Sequence, residues 1–98
     1  MKISQTQNSS TMIIALEGRL DTTTAPDLEA MLKDSLNSAS EIVFDLEKLD
    51  YISSAGLRVL LSAQKAMAKK GEMKVIHVNE TVMEIFDITG FSDILNIE

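Results

Sequence analysis

The stretch "YISSAGLRVLLSAQ", residues 51 to 64, passes from a strand-like run into a helix-like run, and two serines and a glycine stand at the junction. The pattern predicts a helix from about Ser54 to Lys70, with Ser53 as its N-cap and Gly71 as its C′ glycine. One face of this helix is apolar and is expected to point inward: Val59, Leu60, Ala63, Ala66 and Met67. The opposite stripe is polar and is expected to face water: Arg58, Ser62, Lys65 and Lys69.

The residues before this stretch predict two more strands, a hairpin partner and a first helix. "EIVFDL" (41–46) is a continuous apolar run, typical of a strand buried on both faces. "TAPDLEAMLKDSLNS" (24–38) has helical spacing, with Thr24 as a candidate N-cap. "MIIALEGRL" (12–20) predicts a strand, and "KISQT" (2–6) is expected to pair with it as a hairpin.

After the second helix, the sequence predicts one more strand and one more helix. "MKVIHV" (73–78) has the composition of a strand, and its single histidine, His77, is read as an ordinary strand residue. "ETVMEIFDITG" (80–90) predicts a short helix that ends at Gly90, and residues 91–98 form a terminal segment.

The order β-β-α-β-α-β-α predicts an α/β fold with a mostly parallel central sheet. Two successive strand–helix–strand units imply right-handed crossovers, with helices covering the sheet. The N-terminal strand is expected to be antiparallel, and residues 1–98 are expected to form a single domain.

Composition excludes several classes of function. The net charge is −6 and no basic face is concentrated in the chain, which argues against a nucleic-acid binder. No apolar run of about 18 residues is present, so we expect no membrane insertion. The first residues lack a secretory h-region, and the chain has no cysteine. We therefore expect a cytoplasmic protein without disulfides or zinc–thiolate sites.

No catalytic constellation accompanies the serines. "ISSAG" lacks the first glycine of a hydrolase nucleophile elbow, and a single glycine cannot form the phosphate-binding loop of a nucleotide-binding protein. Asp45, Glu47 and Asp50 are expected to be a solvated acidic loop and not a metal site. We expect no enzyme activity, no cofactor and no metal.

Two loops are expected at the carboxyl ends of neighbouring strands, residues 18–25 and 50–56, where functional groups collect in parallel sheets. Ser54 would lie in the first helical turn, exposed and pointing outward. A phosphoryl group there would meet unpaired amides and the positive end of the helix dipole, so the fold would tolerate it. Gly56 in a helix is expected to mark the close approach of a partner backbone.

These residues resemble the anti-sigma factor antagonists of bacteria, small single-domain members of the STAS family. The most specific matches are "G-x-L-D" at 18–21 and "S-S-A-G-L" at 53–57, within "EGRLDTTTAPDLEAML" and "IVFDLEKLDYISSAGLRVLL". The resemblance covers nearly the whole chain, and it implies the STAS-like fold.

The resemblance implies a partner switch. The unphosphorylated antagonist would bind an anti-sigma factor that is also a GHKL-type serine kinase, and so release the sigma factor. Phosphorylation would separate the pair, and a metal-dependent serine phosphatase would restore the binding form. The family's acceptor position maps to Ser54. The expected partner-binding residues are Asp21, Thr22, Thr23, Thr24, Ser53, Ala55, Gly56, Leu57 and Arg58.

The sequence departs from the family pattern at the switch. Where many members read D-S-S-G or D-S-T-G, Ser53 replaces the aspartate and Ala55 replaces the second hydroxyl. Ser53 therefore remains a second candidate acceptor, and Asp21 is either a partner contact or an Asx-type turn residue. Two alternative functions stay open: a STAS subunit of a transporter or signalling scaffold, and a small phosphotransfer or nucleotide-hydrolysing enzyme.

Overall fold

The computed structural model describes all residues, 1–98. In chain order the elements are β1 (Lys2–Asn8), β2 (Thr11–Leu20), α1 (Ala25–Ser38), β3 (Glu41–Ile52), α2 (Ser54–Ala68), β4 (Glu72–Ile76), α3 (Glu80–Thr89) and a 3₁₀ turn (Phe91–Asp93). The sheet order is β1-β2-β3-β4, with β1 antiparallel to β2 and the other two pairs parallel. The predicted fold class is confirmed.

The helices cover one face of the sheet only. In β2 as far as Leu16 and in β3 as far as Leu46, fully buried residues alternate with half-buried ones. Buried residues of all three helices join the strands in a single hydrophobic core. The prediction that residues 41–46 form a strand buried on both faces is therefore wrong. Ile42, Phe44 and Leu46 point into the core, whereas Val43 and Asp45 lie on the open face.

Strand β3 is twice as long as predicted, and this corrects the position of the second loop. Residues 50 to 52 belong to the strand, so the connection to α2 is short. The extension pairs with the end of β2 across two register shifts, one of them beside Gly18, whose φ is 103°. The charged residues of this part of β3 lie outside the core, which hid its strand character in the sequence.

The C-terminal half fits the predictions with two corrections. Gly90 ends α3 with a φ of 83°, as expected of a C-cap glycine. Gly71 has no positive φ, and it is required because a side chain there would collide with the backbone carbonyl of Ser40. His77 lies just beyond the end of β4. The terminal segment returns to β4 through a parallel bridge between Val75 and Ile97.

Candidate functional site

The carboxyl ends of β2 and β3 bring the two predicted loops together. Leu20 pairs with Ile52 in the sheet, and the amide of Ser53 donates to the carbonyl of Leu20 at 2.9 Å. Asp21 follows the first of these strands and Ser54 follows Ser53, so the turn after β2 adjoins the start of α2. The sequence predicted this neighbourhood from the parallel order of the strands.

Asp21 organises the turn after β2. Its Oδ1 accepts hydrogen bonds from the backbone amide of Thr23 at 3.0 Å and from the Thr23 hydroxyl at 2.7 Å. These bonds, with weaker ones from Thr24, lower the pKa of Asp21 below its ordinary value. Of the two interpretations left open by the sequence, the Asx-type turn is therefore present in the structure.

Thr24 has a different local role from the one predicted. It occupies the N-cap position of α1, but its side chain makes no capping hydrogen bond. Its hydroxyl instead donates to the carbonyl of Arg19 at 2.8 Å and accepts from the amide of Asp21 at 2.9 Å. Thr24 thus closes the turn back onto the end of β2.

Arg19 links the turn to β3. Its guanidinium lies 4.4 Å from the centre of the Tyr51 ring, and its Nε lies 3.8 Å from Oδ2 of Asp21. Both contacts are partly exposed, so each contributes little to stability. Since Arg19 and Tyr51 alternate with the buried Leu20 and Ile52, both contacts lie on the open face of the sheet.

The two serines at the start of α2 have different environments. Ser53 is the N-cap by backbone conformation, with φ −98° and ψ 177°, but its side chain makes no capping bond. Its Oγ is buried and has no hydrogen-bond partner, so the predicted side-chain cap is wrong. Ser54 is the first helical residue and is exposed. Of the two serines, only Ser54 is exposed, whereas Ser53 is half-buried with its Oγ turned inward.

Gly56 and Leu57, both predicted partner contacts, are buried in the free domain. A Cβ on Gly56 would lie 2.7 Å from Cγ of Leu20 and 2.8 Å from Cγ1 of Ile52. The glycine therefore allows α2 to lie close to the ends of β2 and β3, and the expected approach of a partner backbone is not its structural reason. Leu57 is part of the hydrophobic core.

The other predicted partner-binding residues and the predicted acceptor Ser54 divide by exposure. Thr22, Thr23, Ser54 and Arg58 are exposed, whereas Asp21, Thr24, Ser53 and Ala55 are half-buried. The exposed residues and Asp21 are available as a surface, which we call the switch patch and define as Asp21, Thr22, Thr23, Ser54 and Arg58.

Within the switch patch, the start of α2 is electrostatically favourable for an anion. The first turn of α2 has no acidic residue and no side-chain cap, and first-turn amides have no intrahelical acceptor. Arg58 lies four residues after Ser54, on the same helical face. A phosphate on Ser54 would therefore meet free amides, the positive end of the helix dipole and a guanidinium.

A second group of polar side chains joins His77 to Asp45 and Glu47, which lie in β3 and not in the acidic loop expected from the sequence. Asp45, Glu47 and His77 place one ligand atom each within 4.8 Å of one another. His77 Nδ1 lies 3.0 Å from Oδ1 of Asp45, which raises the pKa of the imidazole above its ordinary value. Alternation along β3 puts Asp45 and Glu47 on one face, but the histidine is 32 residues from Asp45. Only the β3–β4 register reveals it.

The comparisons with known proteins agree with one another on the family. The family model for the STAS domain matches residues 2–98. BtrV of Bordetella bronchiseptica, which carries a provisional assignment as an anti-sigma factor antagonist, is 35% identical over 99 residues, covering 99% of this chain and 85% of BtrV. The anti-sigma-B factor antagonist of Bacillus subtilis is 29% identical over 92 residues, and the match covers 93% of this chain and 84% of that protein.

Solved structures show the same fold. The anti-sigma factor antagonist SpoIIAA in its unphosphorylated form superposes with a TM-score of 0.85 at 19% identity, covering 99% of this chain and 88% of that one. The phosphorylated form of SpoIIAA from Bacillus gives a TM-score of 0.78 at 18% identity, with coverage of 99% and 91%. No helix of the present structure is long and apolar enough to cross a membrane.

Proposed function

The chain belongs to the STAS domain family, and on that premise we propose that it is an anti-sigma factor antagonist controlled by phosphorylation of Ser54. In this proposal the single domain acts in the cytoplasm as a binding protein and not as an enzyme. Its unphosphorylated form binds an anti-sigma factor that is also a GHKL-type serine kinase. A metal-dependent serine phosphatase reverses the modification.

One observation carries the choice of Ser54. It is the exposed hydroxyl at the uncapped N-terminus of α2, whereas the Oγ of Ser53 is buried. A kinase must place the acceptor oxygen in line with the γ-phosphate, which requires an accessible hydroxyl. Ser54 meets this requirement in the folded domain, whereas the Ser53 side chain would first have to rotate outward.

Phosphorylation is expected to change binding and not folding. The phosphate adds about −1.5 to −2 charges at pH 7. In the free protein, water, the first-turn amides and Arg58 can stabilise it. In a complex, the phosphate would lose water and meet a surface that accommodated a hydroxyl. Leaving a charge unpaired in an interface costs several kcal/mol, and about 3 kcal/mol weakens binding more than a hundredfold.

The experiment that tests this proposal uses Ser54→Ala and Ser54→Asp as immobilised baits in lysate of the source cells. We expect Ser54→Ala to retain a GHKL-type kinase that Ser54→Asp does not retain, as identified by mass spectrometry. Ser62→Ala and Ser62→Asp are the matched controls, because Ser62 is exposed on the same helix outside the switch patch. Equal retention by both Ser54 baits would contradict the switch.

A further inference from the structure

The open face of the sheet carries three side chains that converge from two strands: Asp45 and Glu47 of β3, and His77 just after β4. They lie outside the switch patch, and nothing in the proposed function uses them. The set differs from an acidic patch because an imidazole nitrogen is one of its three converging atoms.

The distances within this group fit a metal ion. His77 Nδ1 lies 3.0 Å from Oδ1 of Asp45 and 3.8 Å from Oε2 of Glu47. Two ligand atoms at about 2.1 Å from a tetrahedral Zn²⁺ are about 3.4 Å apart. The two distances to the imidazole nitrogen bracket that value, and all three ligand atoms lie within 4.8 Å of one another.

The supporting contacts hold the ligand atoms in place. The backbone amide of Glu47 donates to Oδ1 of Asp45 at 3.1 Å, which fixes that carboxylate. The backbone of His77 has a φ of 57°, which turns the residue out of the line of β4. Glu47 is the most exposed of the three side chains, and it is therefore the ligand with most freedom to adjust.

The surroundings of the three side chains have space for further ligands, and their net charge is small. Asp45 and Glu47 also line an open depression of about 290 Å³, whose other charged residues are Lys2, Glu17 and Lys48. Water could complete the coordination from that side. Three carboxylates against two lysines leave one net negative charge, while the imidazole binds metal in its neutral form.

From this geometry we propose that Asp45, Glu47 and His77 form a binding site for a divalent transition metal ion such as Zn²⁺. An imidazole with two carboxylates favours such ions over Mg²⁺ and Ca²⁺, which prefer all-oxygen ligands. The inference does not rest on the proposed function, and the two can fail independently.

The test is calorimetric titration of the full chain with Zn²⁺, and absorption spectroscopy with Co²⁺ as the probe. We expect one ion per chain, with affinity lowered about a hundredfold or lost in His77→Asn and in Asp45→Asn. Asparagine tolerates a positive φ, so His77→Asn should fold, which circular dichroism checks.

Asp50→Asn is the matched control, since it removes the same charge from β3 outside the group and should leave Zn²⁺ affinity unchanged. Each of the following results would overturn the proposal. They are no binding by the wild type, equal binding by His77→Asn, or Mg²⁺ affinity equal to that for Zn²⁺. An equal loss in Asp50→Asn would also overturn it, because it would show general attraction to an acidic surface.

Discussion

At Gly56, a methyl group added by mutation would meet Leu20 and Ile52, both of which are buried in the core. Alanine is the better helix former by up to about 1 kcal/mol, but overpacking a rigid core costs about 1–3 kcal/mol. We therefore expect Gly56→Ala to lower the free energy of unfolding, measured by urea denaturation. Ser62→Ala, on the exposed face of α2, should change it by less than about 0.5 kcal/mol. A variant at Gly56 as stable as the wild type would restore the explanation by partner contact.

The hydrogen bonds in the turn at Asp21 lead to a second prediction for single residues, which concerns the pKa of the Asp21 carboxyl. Because the Thr23 hydroxyl is the largest cause of the lowered Asp21 pKa, Thr23→Val should raise that pKa toward its ordinary value. Carbon-detected NMR of the Asp21 carboxyl measures it directly. Thr22→Val is the matched control, since Thr22 is exposed and lies in the same turn. Equal shifts in the two variants would contradict the assigned hydrogen bonds.

The sign of the linked stability follows from the lowered pKa. The folded pKa of Asp21 lies below the unfolded value of about 3.9. The contribution of its hydrogen bonds is therefore present above that unfolded pKa and is lost as the pH falls through the folded pKa. The stability difference between wild type and Thr23→Val should accordingly narrow on moving from pH 7 to strongly acidic solution.

Among the helices and strands, α2 offers a test of the charge preference at its N-terminus. Its first turn has no acidic residue, so a negative charge at Ser54 would interact favourably with the helix dipole. The free energy of unfolding of Ser54→Asp should be higher than that of the wild type by about 0.3–1 kcal/mol, and that of Ser54→Lys should be lower. Thermal unfolding at low salt compares the three proteins. An aspartate variant less stable than the lysine variant would contradict an uncapped, anion-tolerant helix start.

The helices could be predicted closely and β3 could not, for a physical reason. Helical periodicity depends only on residues close in the sequence, so the inward residues of α2 could be predicted from their spacing alone. The second half of β3 carries Glu47, Lys48 and Asp50, which are exposed, and its pairing with β2 is irregular. Its strand character depends on hydrogen bonds to distant residues.

For the whole molecule, the sequence placed the switch patch because strand order alone brings its two loops to one edge of the sheet. It could not show which of the predicted site residues are buried and therefore lie outside the patch. The burial of the Ser53 hydroxyl and of Gly56 depends on how closely α2 packs on Leu20 and Ile52. The contact between Asp45 and His77 could not be predicted from the sequence either. It depends on the register of β3 with β4 and on both side chains lying on the open face of the sheet.

The fold thereby separates two surfaces. The helices bury one face of the sheet, the switch patch occupies one edge, and the open face carries the proposed metal ligands. Because the switch patch lies outside the core, its charge can change without repacking the molecule. The central claim is therefore that phosphorylation at Ser54 alters recognition while the fold stays unchanged.

Incubation with the captured kinase and labelled ATP tests that claim most directly, using wild type, Ser53→Ala and Ser54→Ala. Circular dichroism first establishes that the three proteins share one fold. We predict label on the wild type and on Ser53→Ala, with none on Ser54→Ala. Label on Ser54→Ala together with none on Ser53→Ala would contradict the account and move the switch to Ser53.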